Sequence, residues 1–286
     1  MTKLCAVIGY PIGHSMSPAI YNAAFAAMGL DVRHEAWAVQ LDEIPAALER
    51  LRGDEMLGMN VTVPNKQAVM PLLDEIDPMA TAIGAVNCIS KQNGRLIGHN
   101  TDMYGFIRSL REAGCNPKGM RVAILGVGGS ARAVAYGLIE AGAASLTLAG
   151  RTQAHVDELA EALHRTQPQA MVARAGWQDA AFEVACREAG LIVNCTPIGM
   201  RDTPLERESA LPAPLHRPGL WVCDLVYNPL ETRLLADARA AGGRPVGGLE
   251  MLLYQGVESV RHWTGREAPV DIMRKAAQEA MAARER

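Results

Sequence analysis

Chemistry is most legible at Gly126-Val127-Gly128-Gly129-Ser130-Ala131, a glycine turn that follows the apolar run Val122 to Leu125 and opens a helical pattern. Glycines in that context let the backbone approach a pyrophosphate, whose charge is met at the helix N-terminus. Gly126, Gly128, Gly129, Ser130 and Ala131 are therefore candidate dinucleotide contacts. A tight strand-to-helix turn without a ligand is the competing reading. The next strand ends in Gly150-Arg151-Thr152. An acidic side chain at that turn would bind a ribose 2′-hydroxyl, whereas a cation accommodates a 2′-phosphate. Arg151 offers a planar donor fork and Thr152 a hydroxyl, so NADP is the expected cofactor ahead of NAD. A solvated surface arginine is the bland alternative. Thr196, in Asn194-Cys195-Thr196-Pro197, ends a strand on the side where such folds hold their cofactor, and reads also as a plain strand terminus.

These residues need a frame. From Arg121 the pattern alternates: strand 122–125, helix 131–141, strand 145–149, helix 154–164, then strands 191–196 and 221–226 and a short edge strand at 245–246. That alternation describes a mononucleotide-binding unit with parallel strands. Ahead of it, Leu4 to Gly9 is a continuous apolar run suited to a buried parallel strand. Ser17-Pro18 matches an N-cap hydroxyl followed by proline at the first helical position, with Gly29 placed to end that helix. A helix over 42–52, a strand over 57–63 stopped by Pro64 and a short helix through Leu73 follow. Asp77-Pro78 opens another helix, Asn93-Gly94 between 86–90 and 96–99 is a two-residue hairpin signal, and Thr101-Asp102 starts a helix to about 113. Helical periodicity returns over 250–263 and 270–282. The expected class is α/β: an N-terminal α/β domain with a mixed sheet plus a Rossmann dinucleotide-binding domain.

Composition excludes several partners. With 49% hydrophobic residues, 21% charged residues and a formal charge of -3, the chain has no basic excess that would favour a phosphate backbone, so nucleic acid is not expected. No stretch approaches the roughly 20 apolar residues that span a bilayer, so no membrane is expected and a cytoplasmic location is. The six cysteines form no C-x-x-C pair, and Cys5, Cys88, Cys195 and Cys223 lie in apolar runs, which reads as reduced core thiols. The seven histidines show no metal-binding spacing, so no metal is expected.

The first hundred residues carry four polar motifs in order: Pro11-Ile12-Gly13-His14-Ser15-Met16-Ser17-Pro18, Asn60-Val61-Thr62-Val63-Pro64-Asn65-Lys66, Gly84-Ala85-Val86-Asn87 and Asn100-Thr101-Asp102. With the glycine turn and Gly248 to Gln255, they resemble the shikimate dehydrogenase family over nearly the whole chain. The resemblance implies a substrate-binding domain over 1–104, with helices 250–286 packing back on it, and an NADP-binding Rossmann domain over 105–249. It implies that Ser15, Ser17 and Tyr227 reach the substrate carboxylate, that Thr62, Asn87 and Gln255 bind ring substituents, and that Lys66 and Asp102 flank the reacting hydroxyl. Leu225 and Gly248 would lie at the cofactor. The implied reaction is NADP-dependent, reversible reduction of 3-dehydroshikimate to shikimate, with a small-molecule substrate and a monomer or homodimer as the assembly.

A lysine beside an alcohol oxygen can relay its proton and steady the developing alkoxide, and an aspartate can orient that lysine. Which of the two is the primary proton carrier stays open. Taken singly, Ser17 and Asp102 read as helix N-caps and Lys66 as a solvated lysine; their joint occurrence in ordered motifs favours catalysis. His14 and Tyr21 read as shaping the loop. Three departures bear on specificity. Gly150 and His155 stand where NADP-preferring members typically carry asparagine and a second arginine, Met16 where a lysine is common, and Glu250 where a glycine is familiar. A quinate or quinate/shikimate paralogue is the alternative within the family. A non-catalytic nucleotide-binding regulator is the rival of another class, and such a protein has no need of a Lys66–Asp102 pair.

Overall fold

The computed structural model describes residues 2–13 and 15–284, so His14 lies outside the described residues. The chain divides into two compact units, Met1–Gly105 with Leu252–Arg286, and Phe106–Met251. The first holds β1 (Lys3–Gly9), α1 (Ser17–Ala27), β2 (Val32–Ala38), α2 (Ile44–Leu51), β3 (Met56–Val61), β4 (Glu75–Ile76), α3 (Pro78–Ile83), β5 (Cys88–Gln92), β6 (Arg95–His99) and the start of α4 (Asp102–Glu112). Its sheet runs in the order β2-β1-β3-β5-β6-β4. β1 lies parallel to β2 and β3, while β5 is antiparallel to both β3 and β6, which makes the sheet mixed. The core on one face gathers Ala6, Ile8, Leu48, Met59, Val86 and Ile89.

Local chemistry explains these elements. Asn93 at φ 51° and Gly94 at φ 76° supply the two left-handed residues that a tight β5–β6 turn demands. The Asp77 carboxylate accepts the Ala80 N–H at 2.6 Å and caps α3, which ends at Gly84 with φ 72°. Two expectations need correction. The N-cap of α1 is Met16, with no side-chain cap bond, and Ser17 is already the first helical residue; Ser15 Oγ accepts the Ser17 N–H at 3.3 Å in its place. The helix expected through Leu73 is a single 3-10 turn over Met70–Leu72, because Pro71 brings no N–H to an α-helical ladder.

The second unit holds β7 (Arg121–Leu125), α5 (Gly129–Glu140), β8 (Ser145–Gly150), α6 (Gln153–Thr166), β9 (Val172–Gly176), α7 (Ala180–Glu188), β10 (Leu191–Asn194), β11 (Trp221–Asp224), α8 (Arg233–Ala240) and β12 (Arg244–Val246). Its sheet is parallel throughout in the order β12-β11-β10-β7-β8-β9. Strand order reverses between β7 and β10, and the crevice at such a switch point is where doubly wound sheets bind ligands. Both faces are covered, as the two-residue period of β7 shows. Val122 and Ile124 join a core with Val134, Leu138 and Leu148. Ala123 and Leu125 join the opposite one with Phe182, Ile192 and Val222. Sequence pattern does not announce β9, α7 or α8. β9 reads Val-Ala-Arg-Ala-Gly at the sheet edge, with Ala173 and Arg174 exposed and Ala175 alone buried, so it lacks the apolar run of a central strand.

Two helices complete the chain, α9 (Leu249–Thr264) and α10 (Val270–Arg284), and the division between units falls inside α4 and inside α9. α10 packs on α1 within the first unit. Four-residue spacing puts Gln255, Ser259 and Trp263 on one face of α9. The Trp263 indole lies on Gly58, where any Cβ would collide with the ring, and its Nε1 donates to Ile89 O at 3.0 Å. That close approach of helix to strand fixes the height at which Gln255 and Ser259 sit over β3. No helix among the described residues is long and apolar enough to cross a membrane.

Overpacking of this kind costs about 1–3 kcal/mol. Gly58→Ala is therefore expected to lower the unfolding free energy by that amount and so shift the urea midpoint down, whereas Gly13→Ala, whose Cβ meets nothing within 4 Å, leaves it near wild type. Equal midpoints for the two variants would show that the Trp263 contact does not seat the helix.

Candidate active site

The turn after β3 delivers the first reactive side chain. Asn65 is fully buried. Its N–H donates to Thr62 O at 2.8 Å and its Nδ2 to Val39 O at 2.9 Å, so the turn is pinned on two sides. The next residue, Lys66, is tied by its carbonyl, which accepts the Val86 N–H at 2.9 Å. Its Nζ donates to Asp102 Oδ2. Both side chains are more than nine-tenths buried, which excludes a solvated lysine. Removing one partner from such a pair strands a charge, typically at about 3–5 kcal/mol.

Asp102 stands in the first turn of α4, where the helix dipole favours a carboxylate. It is not the cap. Asn100 Oδ1 accepts the Met103 N–H at 3.2 Å and Asn100 Nδ2 donates to Ala85 O at 2.9 Å, so capping falls to a neighbour. The second Asp102 oxygen, Oδ1, accepts from Asn87 Nδ2 at 2.8 Å. Asn87 is held in turn at Oδ1 by the Thr101 N–H at 2.6 Å. Gln255 approaches from α9, its Oε1 lying 3.5 Å from Asn87 Nδ2 and its Nε2 donating to Leu252 O at 2.8 Å. Four of the substrate and catalytic residues expected from sequence, Lys66, Asp102, Asn87 and Gln255, thus meet in one hydrogen-bonded group. Ser15 and Ser17 form a separate pair at the start of α1, and half-buried Thr62 lies one turn ahead of Lys66.

A second polar layer lies behind this group and does not stand out in the sequence. Ser259, fully buried, donates to Gln255 O at 2.9 Å and accepts from Asn60 Nδ2 at 3.1 Å. His34 stacks on Tyr21 with ring centroids 4.4 Å apart and reaches Asn60 Oδ1 through Nε2 at 3.4 Å. Burial pushes the His34 imidazole well down, to about 3, so it is neutral. The legible signal was the four-residue step from Gln255 to Ser259.

In the second unit the glycine turn has two distinct jobs. Gly126 adopts φ +98°, and a Cβ there would stand 2.8 Å from Thr196 Cγ2 and 3.0 Å from the Cys195 carbonyl carbon. Gly128, the N-cap of α5, has nothing within 4 Å of its Cβ position. The backbone before Gly129, Ser130 and Ala131 is therefore open beside first-turn amides, which in any α-helix lack intrahelical acceptors. Arg151 and Thr152 are exposed just past the end of β8. Gly248 packs against the Leu225 carbonyl and would stand 2.9 Å from Asp224 O at its Cβ position, so the start of α9 runs close against the end of β11. Half-buried Tyr227 follows in the loop after β11, within this same unit.

A buried carboxylate organises the strand ends. Asp224 accepts from Asn194 Nδ2 at 2.9 Å and the Val226 N–H at 3.0 Å on one oxygen, and from Thr232 Oγ1 at 2.6 Å on the other. Asn194 Oδ1 accepts the Thr196 N–H at 3.0 Å and its hydroxyl at 2.6 Å. The Thr196 hydroxyl is thus folded back onto the strand end while its methyl covers Gly126. Among the described residues, no cluster of histidine, cysteine, aspartate or glutamate could hold a metal.

Comparison with known proteins finds relatives along nearly the whole chain. Residues 7–89 match the shikimate dehydrogenase substrate binding domain, and residues 248–278 the shikimate 5'-dehydrogenase C-terminal domain. The chain is 49% identical over 283 residues to the shikimate dehydrogenase (NADP(+)) of Moorella thermoacetica, covering 99% of this chain and 95% of that protein. The chain belongs to the shikimate dehydrogenase family. A crystal structure of a shikimate dehydrogenase in complex with NADP+ superposes with a TM-score of 0.91 at 35% identity, covering 98% of this chain and 96% of that one. The Thermus thermophilus shikimate 5-dehydrogenase in complex with NADP(H) and shikimate gives a TM-score of 0.85 at 37% identity, with 97% and 99% covered.

Within the shikimate dehydrogenase family, the unusual residues of this chain have local reasons. A side chain at Gly150 would press on Val156 Cγ2 at 2.9 Å and Val127 Cγ2 at 3.1 Å, so bulk from two valines fills the room an asparagine would need. Met16 is buried, an environment that suits a thioether better than an ammonium. Glu250 lies in the first turn of α9, on the favourable side of the helix dipole.

Burial raises Asp224 from 3.8 to about 6, against the pull of its three donors. The native state therefore binds a proton that the unfolded chain has released, and this group's contribution to stability falls as pH rises through that window. Urea melts of Asp224→Asn and wild type below and above it are expected to show the wild type losing ground to the variant as pH rises. Parallel pH dependence in the two proteins would show that Asp224 ionises freely.

Proposed function

We propose that this protein is an NADP-dependent shikimate dehydrogenase that reversibly reduces 3-dehydroshikimate to shikimate. The observation that carries the reading is the buried Lys66–Asp102 pair, locked by Asn87 beside the Gln255 amide. In the direction of alcohol oxidation the substrate hydroxyl must lose a proton as its carbon loses a hydride. Lys66 Nζ takes the place of water beside that oxygen, steadies negative charge on it and exchanges its proton with Asp102 Oδ2. Asn87 and Gln255, with Thr62, orient the ring hydroxyls, while Ser15 and Ser17 donate to the carboxylate.

The second unit fits NADP. Gly126 and Gly128 keep side chains out of the turn, and Gly129, Ser130 and Ala131 present first-turn amides to the pyrophosphate. Arg151 and Thr152 meet the 2′-phosphate at the end of β8, and Thr196, Leu225 and Gly248 border the nicotinamide side. When bound, the cofactor supplies the hydride donor or acceptor. We assign the substrate-binding part to 1–104 with helices 250–286, the cofactor-binding part to 105–249, and the protein to the cytoplasm as a monomer or homodimer.

Initial rates with shikimate and quinate, each with NADP and NAD, test this reading. Shikimate with NADP is expected to give the highest kcat/KM. Lys66→Ala is expected to lower kcat by roughly 100-fold or more with little change in KM for NADP, as befits loss of a positioned acid/base. Arg151→Ala is expected to raise KM for NADP well beyond KM for NAD. A near-normal kcat in Lys66→Ala would remove that residue from the chemistry, and a wild-type preference for quinate or for NAD would overturn the assigned substrate or cofactor.

A further inference from the structure

We infer that Thr101 is the positioning residue of the acid/base pair, an inference that rests on the assignment of Lys66 and Asp102 to proton handling. Thr101 is fully buried and stands between the residue that caps α4 and the carboxylate that meets Lys66. Several bonds converge on it. Its backbone N–H donates to Asn87 Oδ1 at 2.6 Å, and its hydroxyl accepts from Asn87 Nδ2 at 2.9 Å. The same hydroxyl lies 3.4 Å from Gln255 Oε1 and 3.3 Å from Ser259 Oγ.

Donor and acceptor roles follow from this arrangement. A backbone N–H can only donate, so Asn87 must turn its carbonyl oxygen to Thr101 and its amide nitrogen to Asp102. The two Nδ2 hydrogens then go to Asp102 Oδ1 and Thr101 Oγ1. With Oδ1 receiving a donor, a proton arriving on Asp102 goes to Oδ2, the oxygen that faces Lys66. The Thr101 hydroxyl, accepting from Asn87 Nδ2, has Asn87 Oδ1, already taken by the Thr101 N–H, at 3.3 Å, and onward acceptors for its own hydrogen in Ser259 Oγ and Gln255 Oε1. Ser259 uses its hydrogen on Gln255 O, which leaves its oxygen to accept. The backbone N–H of Thr101 thus sets which oxygen of Asp102 carries the proton, and its hydroxyl couples the two substrate-facing amides and steadies that setting.

Thr101→Val removes the hydroxyl while keeping the backbone N–H and nearly the same shape; Thr101→Ser keeps the hydroxyl. Thr101→Val is expected to lower kcat for shikimate about 3- to 10-fold, the rate equivalent of one hydrogen bond, and to leave KM for NADP unchanged. Thr101→Ser is expected to recover most of the lost kcat. In a Lys66→Ala background Thr101→Val is expected to add no further loss, because the pair it positions is already broken. Should Thr101→Val fail to fold, Ser259→Ala removes one acceptor of the Thr101 hydroxyl and is compared across the same two backgrounds. Wild-type kcat in the hydroxyl-deleted protein, equal losses in the valine and serine variants, or the same fold-loss in the Lys66→Ala background would each overturn the inference. Full kcat in Lys66→Ala itself would instead overturn the assignment of the pair.

Discussion

An ammonium and a carboxylate taken out of water each lose several kcal/mol of hydration, and only mutual attraction with good additional bonds offsets that loss. The Lys66–Asp102 pair meets this constraint by recruiting its surroundings. Asn65 fixes the turn that carries the lysine, Asn100 takes over capping so that the aspartate is available, and Asn87 donates to the oxygen that the lysine does not use. Three asparagines serve one ion pair. Each offers a donor and an acceptor of fixed polarity and carries no charge of its own that would compete with the pair.

The second unit solves a different problem with the same economy. A dinucleotide needs backbone at close range, which glycine permits, and the strand ends that frame the turn must not drift. Asp224 ties β10, β11 and the cap of α8 together with three bonds, and through Asn194 it fixes Thr196, whose methyl covers Gly126. The carboxylate is held by neutral donors alone and is buried, which raises it toward 6. In the first unit the aspartate has a lysine partner, and in the second it has none of that kind among the described residues; the difference separates a group we assign to proton traffic from one kept for architecture.

Much of this was legible in the chain because the informative residues have few uses. The glycine turn after an apolar strand, the Asn93-Gly94 hairpin and the Asp77-Pro78 cap each depend on backbone requirements that few other residues meet. Other features were hidden for physical reasons. β9 is an edge strand with little apolar content, and α7 and α8 bury only a few side chains each, so neither periodicity nor composition marks them. Ser259 and Thr101 are common residue types whose importance comes from what lies across from them in space. Ser17 does not serve as the cap because it already stands inside α1 as its first residue, with Met16 at the cap position.

The central claim is that the buried pair handles the substrate proton, and kcat for shikimate in Asp102→Asn reads it most directly. An asparagine keeps the shape of the site and has no carboxylate to exchange a proton with Lys66. The account predicts a kcat lowered by roughly 100-fold or more with KM for NADP little changed. A variant with near-wild-type kcat would contradict it and move proton handling away from Asp102.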